Sequence, residues 1–468
     1  MADEIIKGIG VRKVVEYKKS RLPRQGEHWK SLAKLEKEEC RLKNTGKECL
    51  EEYKAQLQEE KERLRNEQTK YKISKAMKCF IAAISTPDKL ETALFLKWMR
   101  LKLDVRSRKD LSTLRMKFKM QCEAKEDKVH LAELDQQLMD SSLGIEHYMR
   151  EMGQIYEASF YSSGGPSQEV SELPALAAEL LLDGFPLELV DGDASNIPEK
   201  WVREVLMELH RKVGQQSRLL VFTVLGVQST GKSTLLNTMF GAQFPVSSGR
   251  CTRGAFMLFC QVGEDLKRDL ACDFILLIDT EGLKSPELAQ LDDSYEHDNE
   301  MATLVIGLSD VTIINIAMEN STEMKDILQI AVHAFLRMSK VGKKPVCHFV
   351  HQNDGGVGAH KKNTTDRRHL LEQLNEMTIK ANCQNILDSV KDLEANLQAG
   401  FLTSVDIHET LCILPIKPQD ELFKRVFGCG EQCPFCKVAC EAGGKDHTAS
   451  HGLSSTKNLD LMAYVDVF

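Results

Sequence analysis

The polar and apolar positions divide the chain into stretches of different character. Residues 1–165 are rich in Lys, Glu, Leu, Arg and Gln and poor in Pro and Gly, a composition that favours helices. One apolar residue recurs at every seventh position, at Leu50, Leu57, Leu64 and Tyr71. The companion positions of a coiled-coil seam are charged, so the pattern predicts a long helix packed along one stripe and disfavours a complete coiled coil.

From residue 216 the pattern changes to short, continuous apolar runs separated by amphipathic segments. The runs typical of buried strands are RLLVFTVLG, DFILLID, VTIINIA and PVCHFVHQ. Because buried strands that alternate with helices form parallel sheets, the pattern predicts an α/β domain with a mainly parallel sheet.

These changes of pattern predict four regions. Residues 1–165 form a helical region, and residues 166–215 form a linker with helices that pack on the next domain. Residues 216–418 form the α/β domain, and residues 419–468 form a small tail rich in Cys and His.

Charge and hydropathy exclude several classes of protein. The 62 Lys and Arg are outnumbered by 69 Asp and Glu, so there is no global basic field and we expect no nucleic-acid partner. No apolar run approaches the ~20 residues that span a bilayer, and the start MADEIIKGIG lacks the apolar centre of a signal peptide. We therefore expect no transmembrane segment and a cytoplasmic protein, with the nucleus as a second location.

The strand RLLVFTVLG runs directly into a phosphate-binding loop. Residues 226–233, GVQSTGKS, match the eight-residue P-loop pattern between a predicted strand and a predicted helix. Two glycines allow backbone N–H groups to point at a phosphate, and the helix that follows directs its N-terminal donors at the same anion. We expect Lys232 to bridge β- and γ-phosphate oxygens and the Ser233 hydroxyl to ligate Mg²⁺. The alternative is a glycine-rich turn without function.

A second motif, Asp279-Thr280-Glu281-Gly282, follows the apolar strand DFILLI at its carboxyl end. Parallel sheets place their ligand chemistry at that edge. Asp279 is expected to hold the Mg²⁺ site through water, and the N–H of Gly282 to bond the γ-phosphate. The alternative is a turn at the end of a strand. His297, a little further on, is a candidate sensor of the nucleotide, although a place in a solvated loop is the preferred interpretation.

The segment SSGRCTRGAF lies between these two motifs. Thr252 is a candidate second hydroxyl ligand of Mg²⁺, and Arg250 and Arg253 are candidates to neutralise phosphate charge. An ordinary exposed loop is the alternative for all three.

Recognition of a base is predicted at the end of the strand PVCHFV, which continues into His351-Gln352-Asn353-Asp354. In one register Asp354 is the carboxylate that accepts hydrogen bonds from guanine. In the register that starts at Asn353 the carboxylate position is Gly356, and Asp354 is then a turn residue.

The runs VLGVQSTGKSTLLNTMFGAQFPVSSGRCTRGAF, DFILLIDTEGL and MENSTEMKDILQIAVHAFLRM closely resemble the interferon-inducible very large GTPase family. This dynamin-like family is similar to the guanylate-binding proteins, which also carry Asp-Thr-Glu-Gly-Leu. The resemblance implies a G domain that hydrolyses GTP with Mg²⁺, in which Lys232, Ser233 and Thr252 take part in catalysis. It also implies nucleotide-dependent self-association. The implied nucleotide contacts are Gly226, Gln228, Ser229, Thr230, Gly231, Lys232, Ser233, Thr234, Asp279 and Gly282.

Three departures from this pattern keep other functions open. Ser229 stands where the guanylate-binding proteins have an arginine inside the loop, and Asn353 stands where they have an arginine before the base-reading Asp. The chain is also much shorter than members of the family, which indicates a shortened member. A catalytically impaired nucleotide-binding scaffold is the first alternative, and an ATPase is the second.

The tail places six potential zinc ligands within a short segment: Cys429, Cys433, Cys436, Cys440, His447 and His451. Four soft or borderline ligands suffice for a tetrahedral Zn²⁺ site. We predict a structural zinc site with Cys433, Cys436, Cys440 and His447 as the candidate set. The spacing does not decide which four of the six bind, and the alternative is a group of reduced cysteines.

Overall fold

The computed structural model describes residues 2–7, 14–42, 49–124, 128–214, 216–228, 230–244, 252–283, 294–317, 321–340 and 346–352, with the single positions 372 and 379. The chain forms two compact units, residues 1–311 and residues 312–468. The boundaries between the four predicted regions stay a prediction.

Helices make up the N-terminal part of the first unit, as the composition predicts. They are α1 (Ala2–Lys7), α2 (Val14–Arg21), α3 (Glu27–Arg41), α4 (Leu50–Thr69), α5 (Lys75–Ile84), α6 (Lys89–Ala124), α7 (Lys128–Ser141) and α8 (Ile145–Ser159). In α4, Leu57 and Leu64 of the seven-residue stripe are buried, whereas Leu50 is 47% exposed. The stripe therefore packs one side of this helix along part of its length.

Helix α8 lies at the centre of the helical part. Side chains around its whole circumference are buried, and Tyr148 and Met152 are completely enclosed. A helix that is buried on all sides belongs to the core of a domain. The hydroxyl groups of Tyr148 and Tyr17 form a hydrogen bond of 2.8 Å, so the polar ends of these two rings are satisfied inside the core.

Four strands of the first unit form a sheet in the order β1-β3-β4-β2. They are β1 (Leu187–Val190), β2 (Leu219–Gly226), β3 (Ala255–Gln261) and β4 (Phe274–Thr280). The helices of this part are α9 (Gln168–Ser171), α10 (Leu173–Leu182), α11 (Glu199–Val213), α12 (Lys232–Phe240), α13 (Lys267–Leu270) and α14 (Ser294–Leu308).

The expectation of a mainly parallel sheet is wrong for these strands, because the sheet is mixed. Strands β2 and β4 are parallel, whereas β3 runs antiparallel to both β1 and β4. The antiparallel strands are the two that the sequence pattern misses. β1 has only four residues and carries Glu188 in its middle, and β3 is connected to β4 through the short helix α13.

The second unit contains α15 (Ser321–Lys340), β6 (Val346–Gln352) and, except for its first residue, β5 (Val311–Ala317). β5 and β6 are neighbours in a sheet, and both coincide with predicted strands. α15 buries Ile327, Leu328 and Ile330. Asp354 and the Cys/His-rich tail lie outside the described residues, so the base-reading carboxylate and the zinc ligands stay predictions. Among the described residues, no helix has the length and apolar character to cross a bilayer.

Candidate functional site

The predicted phosphate-binding loop connects the end of β2 to the start of α12. Gly231 is the residue before α12 and has a left-handed backbone with φ of 79°, which glycine adopts without strain. The Thr230 hydroxyl donates to the carbonyl of Val227 at 2.9 Å and braces the turn. The loop therefore leads into the first turn of α12, and N–H groups at the start of a helix are a favourable place for an anion.

Lys232 opens α12 and turns its ammonium group back into the loop. Its Nζ donates to the carbonyl oxygens of Gly226 at 3.2 Å and Val227 at 2.9 Å, and the side chain is buried. Loop carbonyls thus hold the cation inside the turn, as expected for a lysine that serves a phosphate group.

Ser233, Thr252 and Asp279 meet at one point beside this loop. Oδ2 of Asp279 accepts hydrogen bonds from Ser233 Oγ at 2.6 Å and Thr252 Oγ1 at 3.1 Å, and the two hydroxyl oxygens lie 3.3 Å apart. The structure therefore brings together the three side chains that the sequence selects as magnesium ligands. They come from α12, from the segment before β3 and from the end of β4.

The Asp279 carboxylate is an unusual group for a protein interior. It is 1% exposed, and its Oδ1 has no hydrogen-bond partner. Burial raises the pKa of Asp279, and the hydrogen bond from Ser233 and the charge of Lys232 oppose that rise only in part. An oxygen-rich group with an unsatisfied carboxylate oxygen is the donor set that Mg²⁺ prefers, so these residues fit the cation.

Gly282 and Leu283 attach the second motif directly to the phosphate-binding loop. The Leu283 N–H donates to the Gly226 carbonyl at 3.0 Å, and Val227 and Leu283 form an isolated parallel bridge. A Cβ atom on Gly282 would lie 2.2 Å from the Cα of Gln228. Only glycine fits this close approach of two backbones, which packs the second motif against the phosphate-binding loop.

The segment that carries Thr252 is fixed from two sides. Glu281 accepts from the Gly254 N–H through Oε2 at 2.8 Å, and its own N–H donates to the Gly254 carbonyl at 2.8 Å. On the opposite side Gly254 lies against the Val190 carbonyl, and Gly192 lies against Arg253. The second motif and the loop after β1 therefore together hold Thr252 beside Asp279.

Glu281 and His297 are functional candidates that the sequence analysis overlooks or misplaces. His297 lies on α14, is largely buried and contacts Glu281 through Nε2, so its expected place in a solvated loop is wrong. Burial alone would lower the pKa of His297, but the hydrogen bond and the charge of Glu281 raise it above its ordinary value. The sequence signal was the glutamate inside the second motif, to which no role was given.

A small cavity of about 130 Å³ adjoins the site. The cavity is lined by Thr252, Arg253 and Asp279 from the site, and also by Arg150 of α8 and Glu188 of β1. The site thus borders a cluster of buried charges in the helical part. Gln228 lies in the loop and Thr234 in the first turn of α12, whereas Ser229 and Arg250 lie outside the described residues. The catalytic and binding roles of the predicted residues stay predictions.

Comparisons with known proteins agree with this geometry. A family profile described as URGCP-like GTPase domain matches residues 36–397. Interferon-induced very large GTPase 1 of Mus musculus is 39% identical over 392 residues, which cover 80% of this chain and 16% of the relative. The protein of that name from Homo sapiens is 38% identical over 405 residues, which cover 83% of this chain and 17% of the relative.

A second group of relatives covers a similar share of this chain. Up-regulator of cell proliferation of Bos taurus is 39% identical over 369 residues, which cover 76% of this chain and 38% of that protein. The chain therefore matches well under half the length of these relatives, and the resemblance to the very large GTPases is confirmed. With a profile match over most of its length and a matching phosphate-binding loop, the chain belongs to the URGCP-like GTPase family.

Proposed function

We propose that this chain binds GTP with Mg²⁺ and hydrolyses it to GDP and phosphate. The observation that carries the proposal is the meeting of Ser233, Thr252 and the unsatisfied Asp279 carboxylate beside the buried Lys232. This arrangement unites a cation site with an anion site, which is what a nucleoside triphosphate complexed with Mg²⁺ requires.

Binding of the phosphates falls to the loop and to Lys232. The ammonium group of Lys232 now rests on carbonyls of the loop and would exchange them for β- and γ-phosphate oxygens. The N–H groups at the start of α12 add oriented donors without charge. Phosphoryl transfer needs little covalent help from a protein, so most of the catalysis comes from such positioning.

Ser233, Thr252 and Asp279 would hold the magnesium ion. When bound, Mg²⁺ neutralises charge that builds up on the phosphate oxygens. Because Thr252 lies on a segment that Glu281 holds through Gly254, the complete ligand set exists only while that segment is docked. Closure of the segment is therefore our proposed condition for hydrolysis, with water attacking the γ-phosphate in line.

The Gly282 N–H is the proposed sensor of the γ-phosphate. Its backbone lies against Gln228 of the loop, so a bond to the γ-phosphate would form without distortion of the loop. Loss of the γ-phosphate would remove that bond and loosen the second motif. The proposal gives guanine recognition to Asp354, which stays a prediction from the sequence.

Calorimetry with GTP and Mg²⁺, paired with an assay of phosphate release, tests this proposal. We expect saturable binding to the full chain and its loss in Lys232→Ala, whereas Lys267→Ala, which removes a lysine paired with Glu264 on the surface, should bind as the wild type does. Binding that survives unchanged in Lys232→Ala would refute the assigned site. Binding without phosphate release would favour the scaffold, and equal competition by ATP would favour the ATPase.

A further inference from the structure

Helix α3 presents one face to the loop that follows β1. Trp29, Leu32 and Glu36 are three and four residues apart, so they lie on the same side of the helix. Trp29 and Leu32 are buried in an apolar cluster between α3 and α4, and Ala194 of the loop packs against that cluster. The loop after β1, residues 191–196, therefore rests on a helix that lies 160 positions earlier in the chain.

Two polar groups of α3 bond the two ends of this loop. The indole N–H of Trp29 donates to Oδ2 of Asp191, and Oε2 of Glu36 accepts from the side-chain amide of Asn196. Between these anchors the loop closes on itself, because the Asp191 N–H donates to the Asn196 carbonyl at 2.9 Å. The loop is therefore a closed turn whose first and last residues are both bonded to α3.

The same loop touches the chain directly after Thr252. A Cβ atom on Gly192 would lie 2.6 Å from the Cβ of Arg253 and 2.9 Å from its carbonyl carbon and oxygen. A Cβ atom on Gly254 would lie 2.1 Å from the Val190 carbonyl oxygen. At both places the two segments approach so closely that only glycine fits. A shift of the loop would therefore also shift Thr252 and the hydroxyl group that it contributes to the magnesium site.

The strand order separates this contact from the phosphate-binding loop. Strand β3, which begins just after Thr252, lies next to β1, whereas the phosphate-binding loop follows β2. Two strands, β3 and β4, lie between β1 and β2. A disturbance that starts at α3 should therefore reach the magnesium ligand Thr252 and leave the lysine that binds phosphate, Lys232, in place.

We propose that Glu36, together with Trp29, is a positioning residue for GTP hydrolysis, which keeps Thr252 at the magnesium site through the loop after β1. This inference rests on the proposed function, since it names what docks the segment on which hydrolysis depends. Misplacement of a catalytic group by 1 Å can cost ~100-fold in rate, so contacts far from the chemistry can set the rate. The helical part of the chain thus acts on the reaction through Thr252.

Variants of Glu36 test this path by separating hydrolysis from binding. In the full chain, Glu36→Ala removes the bond to Asn196 and should slow phosphate release ~3- to 10-fold, the equivalent of one hydrogen bond, with the affinity for GTP unchanged. Glu36→Gln keeps an oxygen that accepts from Asn196 and should restore the rate. The control is Glu39→Ala on the same helix, because Glu39 pairs with Lys61 of α4 at 2.6 Å and should affect neither quantity.

A substitution at the contact itself should act more strongly. In Gly192→Ala the new methyl group meets the backbone of Arg253, so phosphate release should fall about tenfold or more while GTP still binds. Retained binding of GTP also shows that this variant is folded. Gly164→Ala is the matched control, because a Cβ atom at Gly164 meets nothing within 4 Å, and it should behave as the wild type does.

Hydrogen exchange of the nucleotide-free protein tests the coupling without catalysis. The Gly254 N–H is bonded to Glu281 while the segment is docked, so its protection should fall in Glu36→Ala and stay at the wild-type level in Glu36→Gln and Glu39→Ala. A wild type that releases no phosphate would refute the proposed function, and the exchange measurement would then decide the coupling by itself. Unchanged protection of Gly254 in Glu36→Ala, equal losses of rate in Glu36→Ala and Glu39→Ala, or a parallel loss of GTP affinity would overturn the inference.

Discussion

Two neighbouring groups of buried carboxylates in the first unit differ in whether the chain supplies a bonded cation. In the helical part, Arg150 meets Glu188 at 2.7 and 3.0 Å, Asp193 at 2.7 Å and Asp191 at 3.1 Å. At the end of β4, Asp279 accepts hydrogen bonds from the hydroxyl groups of Ser233 and Thr252, and its Oδ1 has no hydrogen-bond partner. The first group is satisfied by the chain itself, whereas the second is left incomplete.

This difference distinguishes a cluster that stabilises the fold from a site that has room for a ligand. A buried carboxylate without a cation is costly, so a structural cluster brings its own guanidinium group. A binding site leaves its carboxylate without a bonded guanidinium group, because such a group would occupy the place of the external cation. The two groups of carboxylates lie close together, since Arg150 and Asp279 both line the same cavity.

The largest expected effect comes from removing the internal cation. Arg150→Met would leave Glu188, Asp191 and Asp193 without their shared partner, and loss of one member of a buried ion pair costs about 3–5 kcal/mol. Urea unfolding should therefore show a large fall in the free energy of unfolding. Arg211→Met is the control, because Arg211 pairs with Glu204 and Glu208 on the surface and should cost ~1 kcal/mol or less. Equal losses in the two variants would contradict a structural role for the cluster.

The pH dependence of the free energy of unfolding tests the carboxylates around Arg150 further. Burial raises the pKa of Glu188 from 4.5 to about 7, although Arg150 opposes the rise. The folded state therefore holds this proton more tightly, and the resulting stability is complete below pH ~4.5 and lost as the pH rises through ~7. Relative to Glu188→Gln, the wild type should lose on the order of 1–3 kcal/mol of unfolding free energy between pH 5 and pH 8.

The control for this profile is His147, which titrates in the opposite sense. Burial lowers the pKa of His147 from 6.5 to about 4, so its contribution is present above pH ~6.5 and lost as the pH falls towards ~4. Relative to His147→Gln, the wild type should lose stability towards acid. Parallel pH profiles for the wild type and Glu188→Gln would show that Glu188 does not titrate in this range.

The contrast also explains what the sequence could reveal. The phosphate-binding loop and the Asp279 motif were predictable because each is a run of adjacent residues with local geometry. The Arg150 cluster was not, because Arg150 and Glu188 are 38 positions apart and no local pattern links them. Strand β1 was not predicted because Glu188, which pairs with Arg150, interrupts its apolar pattern. Without β1 and β3, the predicted sheet was mainly parallel.

In the group with the unsatisfied oxygen, Asp279→Asn should slow phosphate release without lowering the free energy of unfolding. The amide keeps the shape of the carboxylate but lacks the charge that attracts Mg²⁺, and such changes in metal sites typically cost 10- to 100-fold in affinity or activity. The magnesium dependence of phosphate release measures this effect. Stability should stay level or rise, because a buried charge disappears. Asp265→Asn, at an exposed position, should change neither quantity, and a large loss of stability in Asp279→Asn would contradict the contrast.

The smallest effect is expected where a side chain only helps to hold Glu281. His297→Gln should slow phosphate release ~2- to 5-fold with little change in GTP affinity, because Glu281 keeps its two bonds to Gly254. The charges that face His297 are Glu281, Asp298 and Lys37, and their sum raises its pKa above 6.5. The wild-type advantage should therefore be present at acidic pH and fade as the pH rises through the raised pKa of His297. Arg41→Gln breaks the ion pairs to Glu296 and Glu300 on the same helix but leaves Glu281 in place, so it should not reproduce the effect. An equal loss in Arg41→Gln would mean that α14 as a whole, and not the His297 contact, positions Glu281.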